Sequence, residues 1–170
     1  VLDGDDAGSA WTGEHLAGEE LPRTRGGERG WIATANEDPF GFTQDGDLKG
    51  DPWYFGAFFA PGWRAARIAG ELERLTERGE VTVDDMRALQ LDLHSNLADD
   101  LLPALAESGS SAVAEHPLTQ VLLTWDRRMS ADSHAAVVFH AFAHHLTARI
   151  LEDDFGLLFG QALNLKAVYI

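Results

Sequence analysis

Cysteine is absent from the 170 residues. Disulfides and thiolate chemistry are therefore excluded, and the redox compartment is left undecided. Positive charge is scarce: 13 Lys and Arg stand against 28 Asp and Glu, a formal net charge of −15. A surface of that sign repels phosphate backbones and anionic lipid headgroups, which argues against a nucleic-acid partner and against a membrane surface. Its plain meaning is a soluble, well-solvated exterior. No apolar run is long enough to span a bilayer, and no secretory leader is recognisable. No internal repeat or low-complexity tract occurs. No spacing of Ser, His and Asp assembles a recognisable triad. What is present is an ordinary apolar fraction, 45% hydrophobic residues, in a length that fits one domain.

Residues 1–30 are rich in Gly, Asp and Glu and lack periodicity, so they read as loop. Trp31, Ile32 and Thr34 are strand formers bracketed by Gly30 and Pro39, which predicts a short strand over 31–36 ending on Asn36. Residues 37–62 carry Gly41, Gly46, Gly50, Gly56, Gly62 and three prolines, with aromatics at Phe40, Phe42, Trp53, Tyr54 and Phe55. A long irregular connection of this kind in a compact domain is usually functional. The period then becomes helical. Ala65, Ile68, Leu72 and Leu75 predict a helix over 64–78 stopped by Gly79. Thr82 with Asp85 forms a capping box for a helix over 83–102, with Met86, Leu89, Leu93, Leu97 and Leu101 as its stripe and Pro103 kinking or ending it. Pro117 opens a helix over 118–128, and Ser130 caps a long one over 131–152. The last piece, Leu157 to Ile170, stays apolar to its final residue, so the chain is expected to be cut rather than naturally finished. The fold class is mostly α, with one or two short N-terminal strands: an extended segment over 1–62 holding the 31–36 strand, then a compact helical domain over 63–170.

Three runs carry a family signal. They are Gly30-Trp31-Ile32-Ala33-Thr34-Ala35-Asn36-Glu37-Asp38-Pro39, Ala60-Pro61-Gly62-Trp63-Arg64-Ala65-Ala66-Arg67-Ile68, and Thr82-Val83-Asp84-Asp85-Met86-Arg87-Ala88-Leu89-Gln90-Leu91-Asp92. In this order and at these separations they resemble the β-chain of the penicillin amidase family, the N-terminal-nucleophile amidohydrolases, over roughly residues 10 to 130. The resemblance implies a fragment of that chain with its helical insertion, or knob.

Amide hydrolysis passes through a tetrahedral oxyanion, and a fixed side-chain N–H₂ can donate to it; removing one such donor costs about 3 kcal/mol of barrier. The resemblance gives that part to Asn36. Two acids, Glu37 and Asp38, follow it where the family has a second Asn and then a basic or small residue. Without the family, Asn36 reads as a turn residue closing a strand. Arg64 sits in the first turn of a helix, where a cation works against the macrodipole, so local helix energetics do not account for it. The resemblance makes it the arginine that positions the site; the plain alternative is a surface ion pair with Asp51 or Asp47. Arg67 reads as ordinary helix surface. Asp51 lies near the place of an aspartate that holds a structural calcium in several family members, although calcium wants about six to eight oxygens. His140 and His144, one turn apart, could share a metal, but zinc needs a third protein ligand. Their helix is apolar round most of its circumference, which predicts a buried helix with satisfied histidines.

The family nucleophile is an N-terminal Ser, Thr or Cys whose α-amine is the base. Residue 1 is Val1, and Ser9 and Thr12 show no recognisable self-cleavage context. The resemblance therefore implies a segment of an amidohydrolase acting on an N-acyl bond of a small-molecule amide, inactive when isolated. Its partner is the remainder of the parent acylase, which carries the nucleophile. No cofactor is expected in the fragment, with calcium a candidate in the parent, and the compartment is periplasmic or secreted by resemblance. An unpaired strand edge makes a homodimer of the fragment plausible. The competing class is a helical interaction module without catalysis, in which the 40–63 loop is a partner surface.

Overall fold

The computed structural model describes residues 5–10, 13–21, 23, 25–38, 59–156 and 160. Asp51, Thr12, the Ser9 side chain, most of the aromatic loop and nearly all of the terminal apolar piece lie outside the described residues. The chain divides into two compact units, Val1–Ile32 and Ala33–Ile170.

The first unit has little regular structure. Asp6 accepts a hydrogen bond from the Gly8 N–H at 2.9 Å and opens the 3₁₀ turn Ala7–Ser9. A second turn, Gly27–Arg29, is flanked by Gly26 and Gly30 at φ 82° and 73°, a conformation that costs glycine nothing. The Arg29 guanidinium lies 5.7 Å from the Trp31 ring centre.

The second unit is helical: α1 (Trp63–Arg78), α2 (Val83–Gln90), α3 (Asn96–Ala106), α4 (Ser111–Ala114), α5 (Pro117–Leu123) and α6 (His134–Phe155). The mostly-α class is what the structure shows. The expected strand over 31–36 is not formed among the described residues; its stretch is extended and then bends, without a ladder. Strand propensity makes a strand only where a neighbouring backbone supplies a ladder, and among the described residues the segment takes one isolated backbone bond of this kind, from the Ala60 N–H to the Asn36 carbonyl.

Local chemistry explains the helix ends. Thr82 accepts from the Asp85 N–H at 3.2 Å while Asp85 Oδ2 takes the Thr82 N–H at 2.8 Å, so the capping box forms. The same carboxylate receives Arg78 at 2.6 Å, which ties the end of α1 to the start of α2. The Arg78 bond, followed by the Thr82 hydroxyl and N–H, holds the Asp85 carboxyl well below the usual range.

The helix expected over 83–102 is two helices. The chain leaves α2 after Gln90, and Ser95 restarts it by accepting from the Ala98 N–H at 3.2 Å. The single stripe is broken accordingly: Met86 and Leu93 are exposed, while Leu97 packs on the core. Pro103 lies inside α3, which runs on to Ala106. The helix expected over 118–128 closes at Leu123, its start capped by His116 Nδ1 with Pro117 in the first turn. The cap of α6 is Ser133, which accepts from the Ala136 N–H at 3.2 Å, and not Ser130.

The core gathers Ala98 and Leu102 of α3, Leu122 of α5 and Phe139 of α6, with Trp125, Met129 and Phe142 packed against it. Through these contacts α3 packs on α5 and α5 on α6, while α1 packs on α2 and α3. Ring centres of Trp125 and Phe139 are 5.3 Å apart and tilted by 39°, the offset geometry aromatic quadrupoles favour. The Trp125 Nε1–H is buried without an acceptor among the described residues. A buried donor left unmade costs about 1–3 kcal/mol. Trp125→Phe is therefore expected to be near neutral in urea unfolding, since the lost area is offset by removing that donor. A loss above about 3 kcal/mol would mean the indole is held by more than packing.

Candidate functional site

The segment 35–38 meets the start of α1. The Arg64 Nη2 donates to the Ala35 carbonyl at 2.6 Å and to Asn36 Oδ1 at 2.5 Å. The Asn36 carbonyl accepts from the Ala60 N–H at 2.8 Å. Asn36 holds φ 60°, the left-handed region that asparagine tolerates better than most residues. Its side chain is not capping its own turn. The carboxamide oxygen is bound to the guanidinium, which can only donate, so the orientation of the amide is fixed and its N–H₂ is directed elsewhere. The two residues singled out by the sequence are thus brought together. Glu37 bends back so that its carboxylate accepts from the Ala35 N–H.

Asn36 and Arg64 both line a cleft with a volume of ≈ 670 Å³. Its lining comes from α1, the end of α2, the α2–α3 connection, the start of α3, Met129 and α6. Arg67 corrects an expectation. It is not ordinary helix surface but is half-buried, with Nε 2.5 Å from Asp92 Oδ2 and Nη1 3.0 Å from Glu71 Oε1. Asp92 also accepts from the His94 N–H at 3.3 Å. Next to it, Asp99 binds His94 Nε2 at 2.7 Å and Arg127 Nη1 at 2.5 Å. Backbone bonds hold the two loops together: Ser95 N–H to Arg127 O and Met129 N–H to Leu93 O, both 2.9 Å. Arg127, at φ 61°, is the other non-glycine residue in the left-handed region among the described residues.

Burial pushes both carboxyls up, but their partners outweigh it. Bonds from Arg67 and the His94 N–H, with the charges of Arg67 and Arg128, leave Asp92 below its ordinary value. Arg127 and His94 do the same for Asp99. The Asp92 bond also raises Arg67, against its burial. A carboxyl depressed in the folded state contributes stability that is complete above its unfolded value and is lost as pH falls through the folded value. The melting temperature is accordingly expected to drop on acidification below about pH 4. Asp92→Asn should make that acid slope shallower in thermal melts followed by circular dichroism. An unchanged slope would show that the pair is not what acid breaks.

His140 and His144 are both exposed on α6, not buried as satisfied core groups. Among the described residues no group of three or more His, Cys, Asp or Glu is placed to hold a metal. No helix among them is long and apolar enough to cross a membrane. The Arg67–Asp92 and His94–Asp99–Arg127 cluster was not legible in the sequence. Its members lie 25 to 28 positions apart across Arg67–Asp92 and Arg127–Asp99, too far for any local pattern to join them.

The family model described as penicillin amidase matches residues 1–169. A protein described as penicillin acylase 2 proenzyme, from Pseudomonas sp. (strain SE83), is 34% identical over 145 residues. That match covers 81% of this chain and 17% of the relative, so the chain spans less than a fifth of that relative's length. No solved structure matches.

Proposed function

The chain belongs to the penicillin amidase family, and from that premise we propose that it supplies the oxyanion-stabilising corner of an enzyme that hydrolyses an N-acyl bond. The observation that supports this most is the Arg64 Nη2 to Asn36 Oδ1 hydrogen bond at 2.5 Å. A nucleophile from another segment of the complete acylase attacks the carbonyl carbon. Negative charge gathers on the carbonyl oxygen, and an Asn36 Nδ2–H donates to it. Arg64 acts on the opposite end of the same carboxamide: it fixes the side chain before the reaction and draws electron density toward Oδ1, which makes the N–H a better donor. A donor already in place needs no reorganisation as charge develops. Collapse of the tetrahedral species expels the amine, and water then hydrolyses the acyl enzyme.

Arg64→Lys in the complete, processed enzyme tests the arrangement. Lysine is shorter and lacks the planar fork whose N–H bonds diverge to Ala35 O and Asn36 Oδ1. We expect kcat to fall about tenfold or more with KM moving within about twofold, the pattern of an interaction made in the transition state. Equal kcat for the two proteins would remove the positioning role.

The 170-residue chain by itself is expected not to hydrolyse phenylacetyl or acyl-homoserine amides. The hydroxyl that the described residues bring to the cleft is Ser95, and it is engaged as the cap of α3. Amine release above buffer by the isolated chain would overturn the assignment of the nucleophile to another segment.

A further inference from the structure

The first turn of α1, which carries Arg64, has little local support. Gly62 stands at its N-cap without a side-chain hydrogen bond, and no acidic residue lies in the turn. Arg64 itself opposes the helix dipole there. A helix start that lacks both a cap and a complementary charge is poorly fixed by its own sequence. Yet Arg64 must be held closely if its Nη2 is to reach Ala35 O at 2.6 Å and Asn36 Oδ1 at 2.5 Å together.

Two contacts from elsewhere in the chain supply the restraint. Trp63, immediately before Arg64, donates its Nε1–H to Asp100 Oδ2 of α3 at 2.5 Å. Arg67 places Nε 2.5 Å from Asp92 Oδ2 in the α2–α3 connection and Nη1 3.0 Å from Glu71 Oε1. Trp63 and Arg67 are four residues apart, so they lie on one face of α1, about 6 Å apart along its axis. Two anchors so placed fix both the roll and the axial slide of the turn between them. The Arg67–Asp92 pair is the firmer: its side chains are 31% and 14% exposed, whereas the Trp63–Asp100 bond is open to water, and solvent screens a half-buried pair less. Asp92 is itself held by the His94 N–H at 3.3 Å, and its loop by the Met129 N–H bond to Leu93 O.

We propose that the Arg67–Asp92 ion pair holds Arg64 in register with Asn36, which makes Arg67 and Asp92 positioning residues for the hydrolysis, acting through Arg64 and not on the substrate. The inference rests on the oxyanion reading of Asn36 and Arg64 and adds what sets the geometry of that site. Without the pair, α1 keeps its buried face, Leu72 and Leu75, but its first turn is free to roll. A displacement of about 1 Å at a reacting centre is enough to cost about a hundredfold in rate. Arg64 stands one step back from the reacting atoms, so a smaller loss is expected.

The test is a double-mutant cycle with Arg64 in the complete, processed enzyme. Asp92→Asn and Arg67→Lys are each made in the unsubstituted enzyme and in Arg64→Lys. The second variant decides the matter if the first does not fold, since lysine keeps the charge but lacks the rigid fork that spans Asp92 and Glu71. In the unsubstituted enzyme kcat is expected to fall about fivefold or more with KM within about twofold, the pattern of an interaction acting on the transition state. In the Arg64→Lys background the same change is expected to lower kcat by less than about twofold, because the residue it positions is already gone. The loss of melting temperature should be the same in both backgrounds. Equal kcat losses in the two backgrounds, a loss carried by KM, or no loss at all overturns the proposal. So does failure of both variants to accumulate as processed enzyme, which assigns the pair to folding. Arg64→Lys alone keeps the two readings apart: a normal kcat there removes the oxyanion reading and this one with it, whereas a lowered kcat with additive losses removes this one only.

Discussion

Asn36→Ala in the complete enzyme is expected to lower kcat by about a hundredfold or more, with KM nearly unmoved. The donor's bond strengthens as charge develops on the oxygen, so its loss falls on the transition state and not on substrate binding. Alanine also suits the left-handed φ of 60° less well than asparagine, so part of any effect could be structural. Asn36→Asp separates the two. Aspartate tolerates that backbone and keeps an oxygen for Arg64, but it replaces the donating N–H₂ with an acceptor. Both variants should fold, process and bind, and both should lose turnover. If Asn36 is only a turn residue, alanine should cost about 1 kcal/mol of stability and leave kcat intact. A folded, processed Asn36→Ala enzyme with near-normal kcat would withdraw the catalytic assignment of this segment.

Phe139→Ala is expected to have the largest effect on the fold, a loss of about 3–5 kcal/mol in urea unfolding of the chain. Phe139 is 2% exposed and stands where α3, α5 and α6 converge, stacked obliquely against Trp125 at 5.3 Å and Phe142 at 6.4 Å. Its removal leaves a void whose walls are held by three helices and cannot collapse freely. Domains of this kind have only about 5–15 kcal/mol in total, so the variant should unfold at markedly lower denaturant. A change under about 1 kcal/mol would mean the core closes around the gap. That outcome would contradict the packing described here.

Both predictions turn on residues whose importance was unevenly visible in advance. Elements set by neighbours in the chain were legible in the sequence. Leu72 and Leu75 recur at helical spacing and are buried on α1, and Gly79 ends it. Thr82 and Asp85 are three residues apart and cap α2 reciprocally. Those features need only local geometry. The break between α2 and α3 was not read from the sequence, because the apolar stripe from Met86 to Leu101 continues through it and masks Ser95, a residue type that favours caps and that restarts the chain as one. The strand over 31–36 failed for the converse reason: its residues favour extension, but a ladder is a property of two segments.

The family, the mostly helical class and the choice of Asn36 and Arg64 came from the sequence alone, through the order and spacing of three short runs. Only the tertiary structure decided that the Arg64 guanidinium binds Asn36 and so fixes which end of its carboxamide can donate. It alone showed that Arg67 is locked to Asp92, that His94 shares Asp99 with Arg127, and that Asn36, Arg64 and residues of α6 line one cleft. The physical reason is range. Caps and helical periods are written within a few residues, whereas a hydrogen bond between positions 36 and 64, or 99 and 127, exists only once packing has brought distant segments together.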